Sequence, residues 1–581
     1  MQSWNAVKRR VASISKDEFS MMFRKARPPR GWPETIAVAN SGGPDSTCLL
    51  FLVNRHIIEN ARQTDLPRRI VSLHVDHGLQ DASQTMALQC SKVAQSLGVE
   101  HHTLKIPWSQ NGLPPLPTTD HPTLEYSARI GRYRTLFEGL RKTKANALTM
   151  GHHLNDQVET SLMRIRKGTT EEGAAGMRFV RRWGMGHGAH GVNENPGWSA
   201  YDGMRIWVCR PFLEIPKDRL ITTCEENQLE YVTDETNFMP HVTIRNAIRK
   251  WLTEKGQQSE EDPHKLRLDV LDGKLSSFKS DIASLDLTAD FEQLYGAIMS
   301  LNNQAGDVDS QVDSILSRCT LRSPAGTFLT TCRGIADIQD MKIQRAVVLR
   351  IVRYISFHPW GALRAQLRRR SLSLNQISEK LWNPNPLWPK IPQFCAGGGV
   401  QWTPVIIRDS AFRFPPSKAT HVSLEHGEIM GWLALRQRPP RPQSPEESSS
   451  LRLDITQFLA SQLPLNRKIE YLYDCRFLLT FDLENIPPEI RRVITKPERG
   501  EGLWLLPWSK WFWPQLVWRR SDGQEIVLHS VATLKTPAGN HEFDDLLHLA
   551  SKQEIVWRQR HDDLVEAPWV KSEFIRPLSA L

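Results

Sequence analysis

The chain has 581 residues, 40% of them hydrophobic and 24% charged, with a formal net charge of +10. That length exceeds one core and predicts about three domains. No apolar run approaches the ~18 residues that cross a bilayer, which excludes a helical membrane protein. The basic balance favours a polyanionic partner. Eight scattered cysteines without a C-x-x-C pair speak against a disulfide scaffold or a structural zinc site, and for a reducing compartment.

Residues 1–30 read as an N-terminal extension, with Lys8, Arg9, Arg10, Lys16, Arg24, Lys25, Arg27 and Arg30 set against only Asp17 and Glu18. The first 12 residues, basic and free of acids, fit a short organelle-targeting segment. Lys16 to Lys25 fits an amphipathic helix leading into the first strand equally well, and both readings stand.

From residue 34 to about 165 strands and helices alternate. Expected strands are Glu34–Ala39, Arg69–His74, His101–Ile106 and Asn146–Gly151, and expected helices are Ser46–Glu59, Ser83–Leu97, Thr123–Leu140 and Leu154–Arg166. Short apolar runs joined by helices predict an α/β fold, a doubly wound parallel sheet with helices on both faces. A strand at Arg205–Cys209 and a helix from Lys217 to about Asn227 continue it.

Between the first strand and its helix lies Ser41-Gly42-Gly43-Pro44-Asp45-Ser46. Adjacent glycines let backbone approach a ligand closely, and the helix start that follows presents unpaired N–H groups and the positive end of its dipole. Such a turn can cradle a phosphate, with Ser46 as N-cap and Asp45 as a carboxylate for Mg2+. No lysine follows the glycines, so this is not a Walker A loop. An ordinary strand-to-helix turn is the plain alternative.

Leu73-His74-Val75-Asp76-His77-Gly78-Leu79 ends the second strand and fits either a metal site or a hydrogen-bonded turn. Ala128-Arg129-Ile130-Gly131-Arg132-Tyr133 places Arg129 and Arg132 on one helix face, suited to phosphoryl oxygens or to solvent. Gly151-His152-His153-Leu154-Asn155-Asp156-Gln157-Val158-Glu159-Thr160 starts another helix at the sheet's carboxyl edge. Asp156, Glu159 and Thr160 share a face there, where carboxylates can hold Mg2+, grip an amine or accept its proton. Plain capping of the helix start is the alternative.

Trp183–Gly203 reads as an insertion; its formal G-x-G-x-x-G match at Gly186–Gly191 lacks the flanking strand and helix and is taken as chance. Two further motifs follow, Arg210-Pro211-Phe212-Leu213-Glu214-Ile215-Pro216-Lys217 and Asp234-Glu235-Thr236-Asn237 ahead of Arg245-Asn246-Ala247-Ile248-Arg249. Polar helical sequence dominates from about 245 to 382, and Arg436–Ser450 reads as a low-complexity linker.

The hexapeptide resembles the pyrophosphate loop of the ATP pyrophosphatases. All six motifs in this order resemble the tRNA(Ile)-lysidine synthetases, over residues 35 to 250 or so. Departures are Phe212, where the family has leucine, two acids within the Lys167–Met177 glycine-rich stretch, and the 183–203 insertion. The resemblance implies a PP-loop catalytic domain at 31–250, a helical tRNA-binding domain at 251–385 and a smaller mixed or β-rich C-terminal domain at 386–581, the last matching nothing nameable. It implies that ATP adenylates the wobble cytidine of a CAU-anticodon isoleucine tRNA, and that L-lysine then displaces AMP to leave lysidine.

By the same resemblance Ser41, Gly42, Gly43, Pro44, Asp45 and Ser46 bind ATP, with Asp45 also on Mg2+. Asp156 and Glu159 handle the lysine amine, and Arg129 and Arg132 steady phosphate or the nucleobase intermediate. His77, His153, Arg210, Lys217, Arg245, Asn246 and Arg249 then contact substrate or tRNA. Arg350, Arg353, Arg364, Arg368, Arg369 and Arg370 are expected along a phosphate backbone. Trp504, Trp508, Trp511, Trp513 and Trp518 offer either stacking rings or the core of a β-rich unit. A homo-oligomer is compatible with all of this. The long loops point to a eukaryotic chain and so to a mitochondrion, with the cytoplasm as the other location. Rival readings are a noncatalytic tRNA-binding relative and another ATP-pyrophosphatase ligase.

Overall fold

The protein is described by a computed structural model that covers residues 11–78, 83–110, 113–117, 124–167, 169, 171–186, 199–232, 291–361, 371–383, 393–408, 411–415, 424–439, 451–463, 465–530, 565 and 567–581. Its first unit opens with helix α1 (Lys16–Lys25), the amphipathic alternative of the sequence reading. Ser15 accepts from the Glu18 N–H while Glu18 accepts from the Ser15 N–H, a reciprocal cap that satisfies two otherwise orphaned donors. Phe19 and Phe23 are buried, and Phe23 stacks on Trp32 at 4.1 Å.

Strand β1 (Thr35–Ala39) then leads into α2 (Pro44–Glu59), and β2 (Arg69–Asp76) into α3 (Ser83–Ser96). β3 (Glu100–Lys105), α4 (Leu124–Thr143), β4 (Ala147–Thr149) and α5 (Leu154–Arg166) follow. The unit continues through α6 (Glu171–Ala174), β5 (Val180–Arg182), α7 (Asp202–Arg205), β6 (Trp207–Cys209) and α8 (Lys217–Glu226). The six strands form one sheet in the order β3-β2-β1-β4-β6-β5. All pairs are parallel except β5 with β6. Buried strands reading as unbroken apolar runs, such as Ile36–Val38, need helices on both faces, and they have them. β5 is an antiparallel edge strand that three residues, two of them arginine, did not announce.

Chain order places β2 and β3 on one side of β1 and β4 and β6 on the other. The connections therefore diverge between β1 and β4, the crevice where sheets of this type take ligands.

A 29-residue helix, α9 (Phe291–Cys319), packs Leu294, Ile298 and Leu301 against Val158, Leu162 and Ile165 of α5. Helices Met341–Ile355 and Ser371–Trp382 lie beyond it. They share a core with strands Val400–Arg408 and Ile429–Arg436, the latter paired with a strand Phe328–Thr331 inside the helical stretch. The rest is antiparallel, one sheet built on Gly502–Trp508 and Trp513–Arg519 and another on Lys468–Tyr473 and Phe477–Asp482.

Two expectations for this half are corrected, the arginine track and the linker start at Arg436, and for three tryptophans the core alternative is the one observed. Arg350 is buried and pairs with Asp309 and Asp313, and Arg353 donates to the Ser579 and Ala580 carbonyls, so both are structural cations and not a phosphate track. Trp511, Trp513 and Trp518 are buried in the β-rich core; the Trp513 indole donates to the Ala325 carbonyl. Arg436, expected to open a linker, ends a strand instead and is buried against Asp474. Arg364, Arg368, Arg369, Arg370 and residues 440–450 lie outside the described residues. Among the described residues no helix is long and apolar enough to cross a membrane.

Candidate functional site

Gly42 has φ +84°, a conformation a side chain resists, and a Cβ there would stand 3.0 Å from the Cys90 Sγ. The turn is held from within. Asn40 Oδ1 accepts from the Gly42 N–H at 3.1 Å, Ser46 Oγ accepts from the Ser41 N–H at 3.1 Å, and Ser46 Oγ donates to the Gly43 carbonyl at 3.1 Å. Asn40 is anchored in turn, its N–H on the Leu73 carbonyl and its amide on Ser72 Oγ. Gly43 is the N-cap and Pro44 takes the first helical turn, where its missing N–H costs nothing. The first-turn N–H groups of α2 thus face the crevice beyond β1.

The Gly151–Thr160 segment supplies the opposite wall. Gly151 packs so closely that an added Cβ would sit 2.9 Å from the Asp45 carbonyl oxygen and 3.2 Å from the Ser46 nitrogen. Two helix N-termini, of α2 and α5, therefore lie side by side, and their dipoles make the crevice attractive to anions. Asp156 accepts from the His153 N–H at 3.1 Å, capping α5. Gln157 clamps the glycine-rich stretch, accepting from the Met177 N–H at 2.6 Å and donating to the Met177 carbonyl at 2.8 Å.

His153 is the centre of the charged group. Its Nε2 lies 3.6 Å from Asp45 Oδ2 and 3.5 Å from Asp156 Oδ2. Burial disfavours its charged form, but Asp156 and Asp45 together outweigh that cost and hold its pKa above the usual value. Lys217, at the start of α8, places Nζ 3.9 Å from Asp45 Oδ2, and its N–H donates to Asn155 Oδ1. Asp45 Oδ1 is buried and has no hydrogen-bond partner among the described residues. Glu159 is buried one turn further along α5. Tyr295 of α9 feels the fields of Glu159 and Asp156, which add to burial in pushing its phenol upward.

A second cluster stands at the same sheet edge. Arg129 lies 4.9 Å from the Tyr133 ring, with Arg132 one turn along α4. Arg210 is buried and donates to the Arg178 carbonyl. His77 is pushed down to about 4 by burial and then by Arg132, so it is a neutral imidazole at neutral pH. His74 bonds the Asn40 carbonyl, the turn alternative of the sequence reading, and no cluster able to hold a metal by protein ligands alone occurs among the described residues.

Asp45, His153, Asp156 and Lys217 are thus brought together with the Ser41–Ser46 turn, while Arg129, Arg132, His77 and Arg210 form the neighbouring group. Leu79, the Asp234–Asn237 motif, Arg245, Asn246 and Arg249 lie outside the described residues. Arg181, on the unannounced strand β5, was missed because nothing in the sequence marked that strand. The roles of Gly151 and Gln157 show only in the packing.

A family model described as the PP-loop domain matches residues 13–255. Residues 13–255 are a PP-loop domain. Such a domain implies ATP binding, in keeping with the glycine turn and the paired helix starts. Among curated proteins the chain is similar to the tRNA(Ile)-lysidine synthase of Bacillus subtilis, 32% identical over 236 residues, 40% of this chain and 42% of that one. It is similar to that of Methylobacterium nodulans, 32% identical over 224 residues, 39% and 55% of the two chains. With that of Rhodopseudomonas palustris it is 28% identical over 277 residues, 48% and 68%. The chain spans about two fifths of the length of the Bacillus subtilis relative.

Proposed function

We propose that this chain is a tRNA(Ile)-lysidine synthetase. It adenylates the 2-oxo group of the wobble cytidine in a CAU-anticodon isoleucine tRNA, releasing pyrophosphate. The side-chain amine of L-lysine then attacks carbon 2 and expels AMP. The observation that carries the reading is the convergence of Asp45 and Asp156 on His153 Nε2, at 3.6 and 3.5 Å, beside two helix N-termini. A polyanion and a cationic amine thereby find complementary partners within one crevice.

In this reading the N–H groups of the turn and the first turn of α2 take the phosphates, and Lys217 adds a cation beside Asp45. The unpartnered, buried Asp45 Oδ1 fits a Mg2+ ion shared with the substrate's phosphates, the usual way that ion is held. Bound there, Mg2+ would neutralise charge on the departing pyrophosphate. Asp156 and Glu159 orient the lysine ammonium and receive the proton it must lose, since an amine that is protonated at neutral pH is no nucleophile. The names of the similar synthases and the six ordered motifs support the choice of tRNA and lysine. The basic, acid-free first 12 residues extend the reading to an organelle, a mitochondrion.

Purified protein given ATP, Mg2+ and unmodified CAU-anticodon tRNA is expected to release pyrophosphate only when that tRNA is present, and Asp45→Ala is expected to lose at least two orders of magnitude of that rate, about 2.7 kcal/mol. Pyrophosphate release indifferent to the tRNA would point to another ligase of this class.

A further inference from the structure

Four guanidinium groups bear on Tyr133. Arg129 stacks on its ring and places Nη2 3.5 Å from its hydroxyl. Arg132 extends from the next turn of the same helix, Arg181 comes from β5, and Arg210 follows β6. All four act electrostatically on the phenol. The remaining wall is Trp183, whose ring centroid lies 5.2 Å from that of Tyr133. Arg181 is fixed by donating to the Arg182 and Trp183 carbonyls at 2.8 and 3.1 Å. Arg210 is 4% exposed, yet its Nε has no hydrogen-bond partner among the described residues. No carboxylate pairs with Arg129, Arg181 or Arg210 among those residues.

Like charges crowded in this way repel. Burial, and then Arg181, lower Arg210 to about 10. Arg129 and Arg132 are exposed and partly screened by water, whereas buried Arg210 is not; an anion in their midst relieves the repulsion, and the planar donors match phosphate oxygens.

We propose that Arg129, Arg132, Arg181 and Arg210 form a phosphate-class oxyanion site, and that the Tyr133 oxygen is its exchangeable counter-ion. Before the oxyanion enters, the phenol gives its proton to solvent and the phenolate offsets the guanidinium charge. As the oxyanion takes over that task, the phenolate recovers a proton. Burial of the ring opposes ionisation, but the four arginines outweigh it and bring the group down to about 7. Above that pH the phenolate competes with the ligand, so binding weakens as the pH rises. The inference rests on the proposed reaction only for the source of the oxyanion, the ATP polyphosphate or a tRNA backbone phosphate.

The test uses the full chain, inorganic pyrophosphate as probe, and the near-ultraviolet phenolate band. One tyrosine of the intact chain should titrate near pH 7, Tyr133→Phe should lack that band, and saturating pyrophosphate should move the midpoint up by at least about one unit. One unit above the midpoint the intact chain should bind pyrophosphate about tenfold more weakly than Tyr133→Phe, and well below it equally. Superimposed pH profiles, or a band untouched by pyrophosphate, would overturn the proposal. If Tyr133→Phe does not fold, Arg181→Gln serves instead: its tyrosine midpoint must rise and its pyrophosphate affinity fall, and an unchanged midpoint rejects the site. Suppression of the band by ATP alone assigns the site to the nucleotide, suppression by unmodified tRNA alone assigns it to the RNA backbone, and suppression by neither contradicts it. A chain that makes no lysidine but shows proton-linked pyrophosphate binding would sink the proposed reaction and leave this site standing.

Discussion

Single side chains decide whether the crevice exists at all, and Gly151 is the clearest of them. Its neighbours are backbone atoms of Asp45 and Ser46, which cannot swing aside as a side chain would. Gly151→Ala must therefore shift either the end of β4 or the first turn of α2, at a cost of about 1–3 kcal/mol. ATP affinity measured by calorimetry is expected to fall at least tenfold. The same change at Gly296, where an added Cβ meets nothing within 4 Å, should leave it unaltered. At this scale the sequence was most readable where chemistry dictates residue type: a glycine pair in a turn, acids at a helix start, arginines on one face. It was silent where a residue matters by proximity. Gly151 was visible only as a letter in a motif, and the convergence of Asp45 and Asp156 on His153 needs two loops distant in sequence.

Elements were legible in proportion to their periodicity. The expected helix Leu154–Arg166 has the observed bounds, and β1 differs by one residue. β5 and the strand Phe328–Thr331 escaped notice because three or four residues carry no period, and pairing alone makes them strands. Helix α1 shows how an element is fixed from outside. Arg219 of α8 donates to both Glu18 oxygens, at 3.0 and 2.9 Å, joining the N-terminal helix to the one that carries Lys217. That hydrogen bond, first among several influences, holds Glu18 at about 2 against an ordinary 4.5. A depressed carboxylate stabilises the folded state above its unfolded pKa and loses that contribution as the pH falls. Glu18→Gln should therefore cost stability at neutral pH, no more than about 1 kcal/mol for so exposed a pair. The loss should vanish between pH 4.5 and about 2. Denaturant midpoints of the two chains across that range check it.

For the molecule as a whole, the PP-loop unit and the rest are bound together by more than a linker. α9 packs on α5, Arg178 pairs with Asp309 at 2.6 Å, and Arg205 forms two hydrogen bonds with Glu470 at 2.9 and 2.6 Å. Met185 donates its N–H to the Trp360 carbonyl, so the 183–203 insertion touches the C-terminal half. That half is built around a buried ionic knot: Asp474 accepts two hydrogen bonds from Arg436 and one from Arg476. Asp474→Ala leaves two cations uncompensated and should cost about 3–5 kcal/mol, seen as an early unfolding transition in the fluorescence of the β-rich unit's tryptophans. Nothing in composition foretold the knot, since Arg436 reads as the start of a polar linker. The tryptophan-rich stretch was equivocal because a large ring serves a core and a base stack alike; burial settles it for Trp511, Trp513 and Trp518.

The most direct test of the proposed reaction is mass-spectrometric nucleoside analysis of a CAU-anticodon isoleucine tRNA. The unmodified tRNA is incubated with the intact chain, ATP, Mg2+ and L-lysine, with Asp45→Ala run alongside. The account predicts lysidine at the wobble position with the intact chain and cytidine there with Asp45→Ala. An unmodified wobble cytidine in both, from protein that still binds ATP and tRNA, would contradict it.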